Sequence, residues 1–197
     1  MASLRDRKPK PRRFGSPLGA QALFTLFGVC AAWCASGLLQ AQNPPTDTAV
    51  KAAYLYQFGK FIEWPGASST RAEDAFPICI LGTDPFGGIL GETVAERSVQ
   101  GKRVIAKRIA GVGEAAACNI LFIGASEQER LPEIINSLQG QSVLTVGDSQ
   151  AFSGRGIMIN FVIEQRRVRF EINLSAVERA NLKVSSELLK VAKVIRN

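Results

Sequence analysis

Histidine is absent from this chain of 197 residues. Its absence removes the commonest general base, the Ser-His and Cys-His nucleophile pairs and the usual zinc sites together. Cysteine is scarce, with 4 in all, and only Cys79 and Cys118 lie beyond the N-terminal segment. Two thiols so far apart make no four-thiolate metal site. The run "GTDPFGGILG" has glycines after an apolar stretch, but no Lys-Ser/Thr follows, which excludes a Walker loop and leaves a tight strand-to-helix turn. "GASEQ" lacks the last glycine of a nucleophile elbow. There are no internal repeats, and no low-complexity tract follows the N-terminal head.

Charge is the other thing missing, and it is missing locally. Arg5, Arg7, Lys8, Lys10, Arg12 and Arg13 crowd the head, and then no acidic or basic residue occurs from Leu18 to Leu39. A basic head, an apolar run and "LLQAQN" with small Ala41 at the candidate cleavage point predict a cleaved secretory signal peptide over residues 1–41 and a domain over 42–197. The competing reading is an uncleaved inner-membrane anchor, because an apolar run of about 20 residues approaches what a bilayer requires. Its glycines, Gln21 and weak far-side flanking speak against that. Arg12-Arg13-Phe14 begins like a twin-arginine signal, yet nothing else of that motif follows. Cys30 and Cys34 follow Val29 and Trp33, which are too bulky for lipoprotein processing.

Six of the 24 bases and one of the 17 acids fall within residues 1–41, leaving 18 against 16. The +7 of the whole chain is therefore a targeting feature, and the electrostatic footprint of a nucleic-acid binder is absent. What remains suits one domain, large enough to bury about 70% of its unfolded surface. In an oxidising compartment the remaining even pair, Cys79 and Cys118, is expected to close, the alternative being two buried free thiols.

Apolar patterning places the elements. "KAAYLYQFGKFIEWP" reads as an amphipathic helix with Val50, Tyr54, Phe58 and Phe61 on one face, ending abruptly at Glu63-Trp64-Pro65. A polar loop, "GASSTRAED", follows. Six strands are expected, in "FPICILG", "KRVIAKRIA", "ACNILFIG", "SVLTVGD", "GIMINFVI" and "RVRFEIN", the last two forming a hairpin through "EQR". Leu131, Ile134, Ile135 and Leu138 share a helical face that begins either with a capping box at Ser126–Glu129 or with Pro132 in its first turn. A serine-capped helix with Leu188, Val191, Ala192 and Ile195 on one face is expected to close the chain. The fold class is α/β: a single domain with a mixed, six-stranded sheet flanked by helices.

Catalysis would have to use carboxylates, with Asp84, Asp148 and Glu171 as the candidates. Lone acids near turns are usually solvated or capping, so no enzyme, cofactor or metal site is expected. Arg169 and Glu171 are expected on the outward face of a strand, either as a same-face ion pair or as partner contacts that also guard an edge. Proline at 65 restricts Trp64 to an extended conformation. Trp64 is then either a core residue or, with Phe58 and Phe61, part of an aromatic surface for dimerisation or docking.

Taken in order, "KAAYLYQFGKFIEWP", "ICILGTDPFGGIL", "CNILFIG", "VLTVGD", "GIMINFVIEQRRVRFEIN" and "SSELLKVAKVIR" resemble the YfiR/HmsC-like family over about Thr46 to Arg196. The FxxWP and RFEIN-type segments are the most distinctive. The resemblance implies a periplasmic, homodimeric repressor that binds the periplasmic sensor region of an inner-membrane diguanylate cyclase, lowering cyclic di-GMP and biofilm formation. It implies a redox-responsive protein, with a small-molecule ligand in some members. Cys79 and Cys118 match that family's long-range disulfide; its second, short-range pair would fall around "SQAFSGRGIMIN", where this chain has no cysteine. An alternative function is a periplasmic small-molecule sensor reporting to a membrane histidine kinase.

Overall fold

The structure is a computed structural model and describes residues 46–64 and 74–196. The expected signal peptide over 1–41, Pro65 and nearly all of the "GASSTRAED" loop lie outside the described residues. Helix α1, Asp47–Phe61, starts where the Thr46 hydroxyl accepts the amide of Ala49 at 3.2 Å, with Asp47 in the first turn and Lys60 in the last. A side-chain cap and charges of these signs at the two ends each favour the helix by a fraction of a kcal/mol to about 1 kcal/mol. Its buried residues are Ala52, Leu55, Phe58 and Gly59, so the buried stripe is set slightly round the helix from Val50, Tyr54 and Phe61, which are half-buried. A Cβ at position 59 would stand 3.1 Å from the Phe76 ring and 3.2 Å from Val99. Glycine there lets the helix lie close on the sheet.

Among the described residues, eight strands form the main sheet. Strand β2, Ala75–Leu81, is central and pairs in parallel with β4, Lys102–Ile109, on one side and β5, Ile120–Ile123, on the other. From β5 the sheet continues in parallel through β6, Leu144–Gly147, to β7, Ile159–Glu164. Strand β8, Arg167–Asn173, returns antiparallel to β7 through Gln165 and Arg166, both at positive φ (50° and 60°). That is a two-residue hairpin turn of the kind whose twist matches its flanking strands. At the far ends sit β3, Ser98–Val99, antiparallel to β4, and β10, Lys193–Ile195, parallel to β8. A separate two-stranded ribbon joins β1, Ile62–Glu63, to β9, Lys183–Val184.

The six expected strands are thus all present, and the main sheet has two more. Both additions are edge strands of two or three residues, too short to show a period of two. The C-terminal helix is the larger difference. Ser185 does cap it, accepting from Leu188 N at 3.3 Å, but helix α5 spans only Ser186–Val191. The chain then turns extended and adds Lys193–Ile195 to the open edge of β8. The apolar spacing fits a longer helix equally well; an unpaired sheet edge decides against it.

Helix α2, Ile89–Val94, follows β2, and helix α3, Leu131–Ser137, begins with Pro132 in its first turn. The Ser126 hydroxyl makes no capping box: it accepts from Thr83 N at 2.9 Å across the turn after β2. Helix α4, Leu174–Arg179, follows β8 and is capped by Asn173. Two cores result, one on each face of the sheet. On one face, Leu55 and Phe58 of α1 pack with Ile78, Ile80, Phe161 and Phe170. On the other, Ile134 of α3 packs with Cys79, Leu81, Cys118, Leu121 and Phe152. Strand β2 is buried on both faces, as a central parallel strand must be, which is why "FPICIL" reads as an unbroken apolar run.

Candidate functional site

The aromatic segment at the end of α1 divides between core and surface. Phe58 is fully buried, its ring stacked on Phe161 at 5.8 Å and edge-on to Phe170 at 5.1 Å between centroids. The expectation that Phe58 takes part in an exposed contact is therefore corrected: one helical turn before the end, α1 is still pressed on the hairpin. Phe61 and Trp64 are half-buried. Trp64 stands edge-on to Phe76 at 5.2 Å, and its indole N–H is buried with no hydrogen-bond partner among the described residues.

The helix ends before proline is reached. Ile62 turns extended (φ −105°, ψ 137°), and Ile62 and Glu63 pair with Val184 and Lys183 while Ser185 N–H donates to Phe61 O at 2.9 Å. Pairing with a segment about 120 residues away ends α1, and it sets Phe61 and Trp64 beside that ribbon. Sequence reasoning missed a neighbouring feature on the same helix. The half-buried Tyr56 ring carries Lys60 Nζ at 5.7 Å and the Arg97 guanidinium at 5.0 Å from its centroid. The Tyr56–Lys60 spacing of four was a legible hint; Arg97 comes from the turn after α2 and was not.

Glu171 is not on an outward face. It is 7% exposed, and its carboxylate accepts from Lys193 Nζ at 2.8 Å and from the Ser153 hydroxyl at 2.7 Å. Lys193 sits opposite Glu171 in the β8–β10 register, so the carboxylate reaches across to the next strand and not along its own. The expected Arg169–Glu171 ion pair does not form. Arg169 is exposed and has no ion pair among the described residues. The lysine's hydrogen bond holds the Glu171 carboxyl below the usual carboxylate range, the Ser153 hydroxyl and the lysine charge add to this, and burial opposes it. Lys193 is raised in turn, first by its hydrogen bond to Glu171 and then by that group's charge.

The other two candidate carboxylates are also committed. Asp84 accepts from Phe86 N at 2.7 Å through one oxygen and meets Arg108 at 2.7–2.8 Å through the other. Asp148 pairs with Lys51 at 3.1 Å beside a shallow hollow of about 290 Å³ edged by Phe161 and Ile163. The three acids stand in three separate pairings, and the structure does not bring them together. No group of three His, Cys, Asp or Glu residues that could hold a metal ion occurs among the described residues.

Cys79 and Cys118 form a disulfide with their Cα atoms 6.0 Å apart, both side chains fully buried. It ties the middle of β2 to the turn that enters β5, on the α3 face of the sheet. Among the described residues no helix is long and apolar enough to cross a membrane.

A family model described as YfiR/HmsC-like matches residues 48–193. Among solved structures, the ABC domain crystallised with L-Trp from Streptococcus pneumonia is 13% identical, with a TM-score of 0.44 over 61% of this chain and 55% of its own. A conserved domain protein from Vibrio cholerae O1 biovar El Tor is 10% identical, with a TM-score of 0.47 over 61% of this chain and 54% of its own. The chain spans about half the length of each, and neither carries a function over to it.

Proposed function

The chain belongs to the YfiR/HmsC-like family, and from that premise we propose that it is a periplasmic regulatory protein, acting by binding and not by catalysis. In this reading it represses an inner-membrane diguanylate cyclase by holding that enzyme's periplasmic sensor region, and so lowers cyclic di-GMP and biofilm formation. The family match across residues 48–193 is the observation that carries it. The lack of histidine and the pairing of Asp84, Asp148 and Glu171 with cations favour the same reading.

Repression by binding is a matter of linkage. The protein stabilises the silent form of its partner only by the margin with which it prefers that form. Turning a 99:1 population into its reverse takes about 5.5 kcal/mol of such preference. We assign partner or dimer contacts to two places: Phe61 and Trp64 beside the β1–β9 ribbon, with Phe58 beneath them in the core, and Arg169 on the opposite face of β8, where Glu171 fixes the strand. Aromatic rings and arginine are enriched at the centre of protein contacts.

Deleting the gene is expected to raise cellular cyclic di-GMP, with wild-type protein restoring it. A Phe61→Ala, Trp64→Ala variant that is exported and folded is expected to restore it only in part. Unchanged cyclic di-GMP on deletion would sink the proposal.

A further inference from the structure

A cleft of about 410 Å³ opens between the end of α3, the start of β7 and helix α4. Small-molecule sites run from roughly 300 to 1,000 Å³. Leu138, Met158, Ala176 and Ala180 give it apolar walls, and Ile135 closes one side. Gly156, at φ +91°, keeps it open there: a Cβ would stand 3.3 Å from Ile135. Any larger side chain at 156 would fill the space.

Among the described residues that line the cleft, one is charged. Arg179 borders the cleft, no acid does, and the Arg179 guanidinium has no ion pair or hydrogen bond with any described residue. The ion-paired bases contrast with it. Lys51, Arg108, Arg130 and Lys193 each meet a carboxylate. An arginine fork beside an apolar hollow is matched by a planar anion on an apolar body, the anion taking the guanidinium and the body taking the wall. Gln139 and Thr145 are the polar, uncharged members of the lining, and a single positive charge suits a monoanion better than the dianion of a phosphate ester, whose second charge would find no cation.

We propose that this cleft is a binding site for a small amphiphilic carboxylate, with an apolar portion about the size of a phenylalkyl group. The proposal does not depend on what the protein regulates, and binding to the purified protein tests it alone. Three elements meet at the cleft, and α4 leads directly from β8 into the β9 ribbon beside Phe61. A bound carboxylate would therefore press on the helix that positions the aromatic surface.

The probe is 4-phenylbutyrate, compared by calorimetric titration with its neutral isostere 4-phenylbutan-1-ol. For the wild-type protein the acid is expected to bind about 10-fold more tightly than the alcohol. In Arg179→Gln that preference should shrink to within about 2-fold while the alcohol's affinity stays the same. Arg179→Lys, which keeps the charge and loses the fork, should fall between them. Ala180→Leu, checked for folding by its unfolding transition, should weaken both ligands alike by filling the hollow. Equal affinity for acid and alcohol, binding of neither, or a preference that survives Arg179→Gln would each overturn the site.

Discussion

Glu171 joins three parts of the chain through one carboxylate: its own strand, the turn carrying Ser153 and the C-terminal strand carrying Lys193. Its carboxyl is held below the usual range when folded, so the stability it contributes is present above the unfolded-state value and is lost as pH falls through the lower folded value. Glu171→Gln is therefore expected to cost on the order of 1 kcal/mol at neutral pH, a modest figure because Lys193 is largely solvated. Urea unfolding at a series of pH values should show wild type and variant converging in acid; a gap that stays constant down to pH 3 would remove the carboxylate from the explanation. The disulfide acts on a different quantity. It closes a loop of 39 residues, worth about 4 kcal/mol in the chain-entropy model, and a Cys79→Ala, Cys118→Ala variant should lose about that much in denaturant unfolding. If that variant stays folded and represses its partner as well as wild type does, the bridge is a brace and has no part in signalling.

Long buried runs were legible as elements because a central parallel strand has no polar face to display, so β2 and β5 stand out at once. The β7–β8 hairpin was equally clear from the alternation of Val168, Phe170 and Ile172. The short pieces were not, and the reason is physical. Lys193–Ile195 is extended only because β8 offers it an unpaired edge and Glu171 offers its lysine a partner, neither of which is local information. The same non-local cause buried Glu171, whose position in an alternating strand predicts exposure, and ended α1 at the β9 ribbon one turn before Pro65 could act. Of the candidate surface, Phe61 and Trp64 remained accessible and Phe58 did not, since helical spacing gives the side of a helix but not the width of what covers it. Truncating the chain after Ala192 should then uncover the outer edge of β8 and leave Glu171 without its lysine. A lower unfolding midpoint together with concentration-dependent association in light scattering is the expected outcome. A monomeric truncation of unchanged stability would show that β10 is dispensable.

For the molecule as a whole, charge balance predicts how it meets a partner. Beyond residue 41 the chain holds 18 bases and 16 acids, and among the described residues Lys51, Arg108, Arg130 and Lys193 are already neutralised by neighbouring acids. A net charge of +2 (18 against 16) supplies little long-range attraction, so encounter should depend on the apolar patch at Phe61 and Trp64. Salt between 50 and 300 mM shortens the screening length from about 14 Å to about 6 Å. Steered complexes slow steeply over such a range, whereas an apolar contact scarcely responds. Measured by surface plasmon resonance against the partner's periplasmic region, the association rate is expected to change by less than about 3-fold over that interval. Phe61→Ala and Trp64→Ala should act on dissociation, shortening the lifetime of the complex by about 10-fold or more, because loss of a desolvated anchor appears mainly in the off-rate. A 10-fold slowing of association in high salt, with dissociation untouched by either substitution, would move the contact from the aromatic patch to the exposed arginines around Arg169.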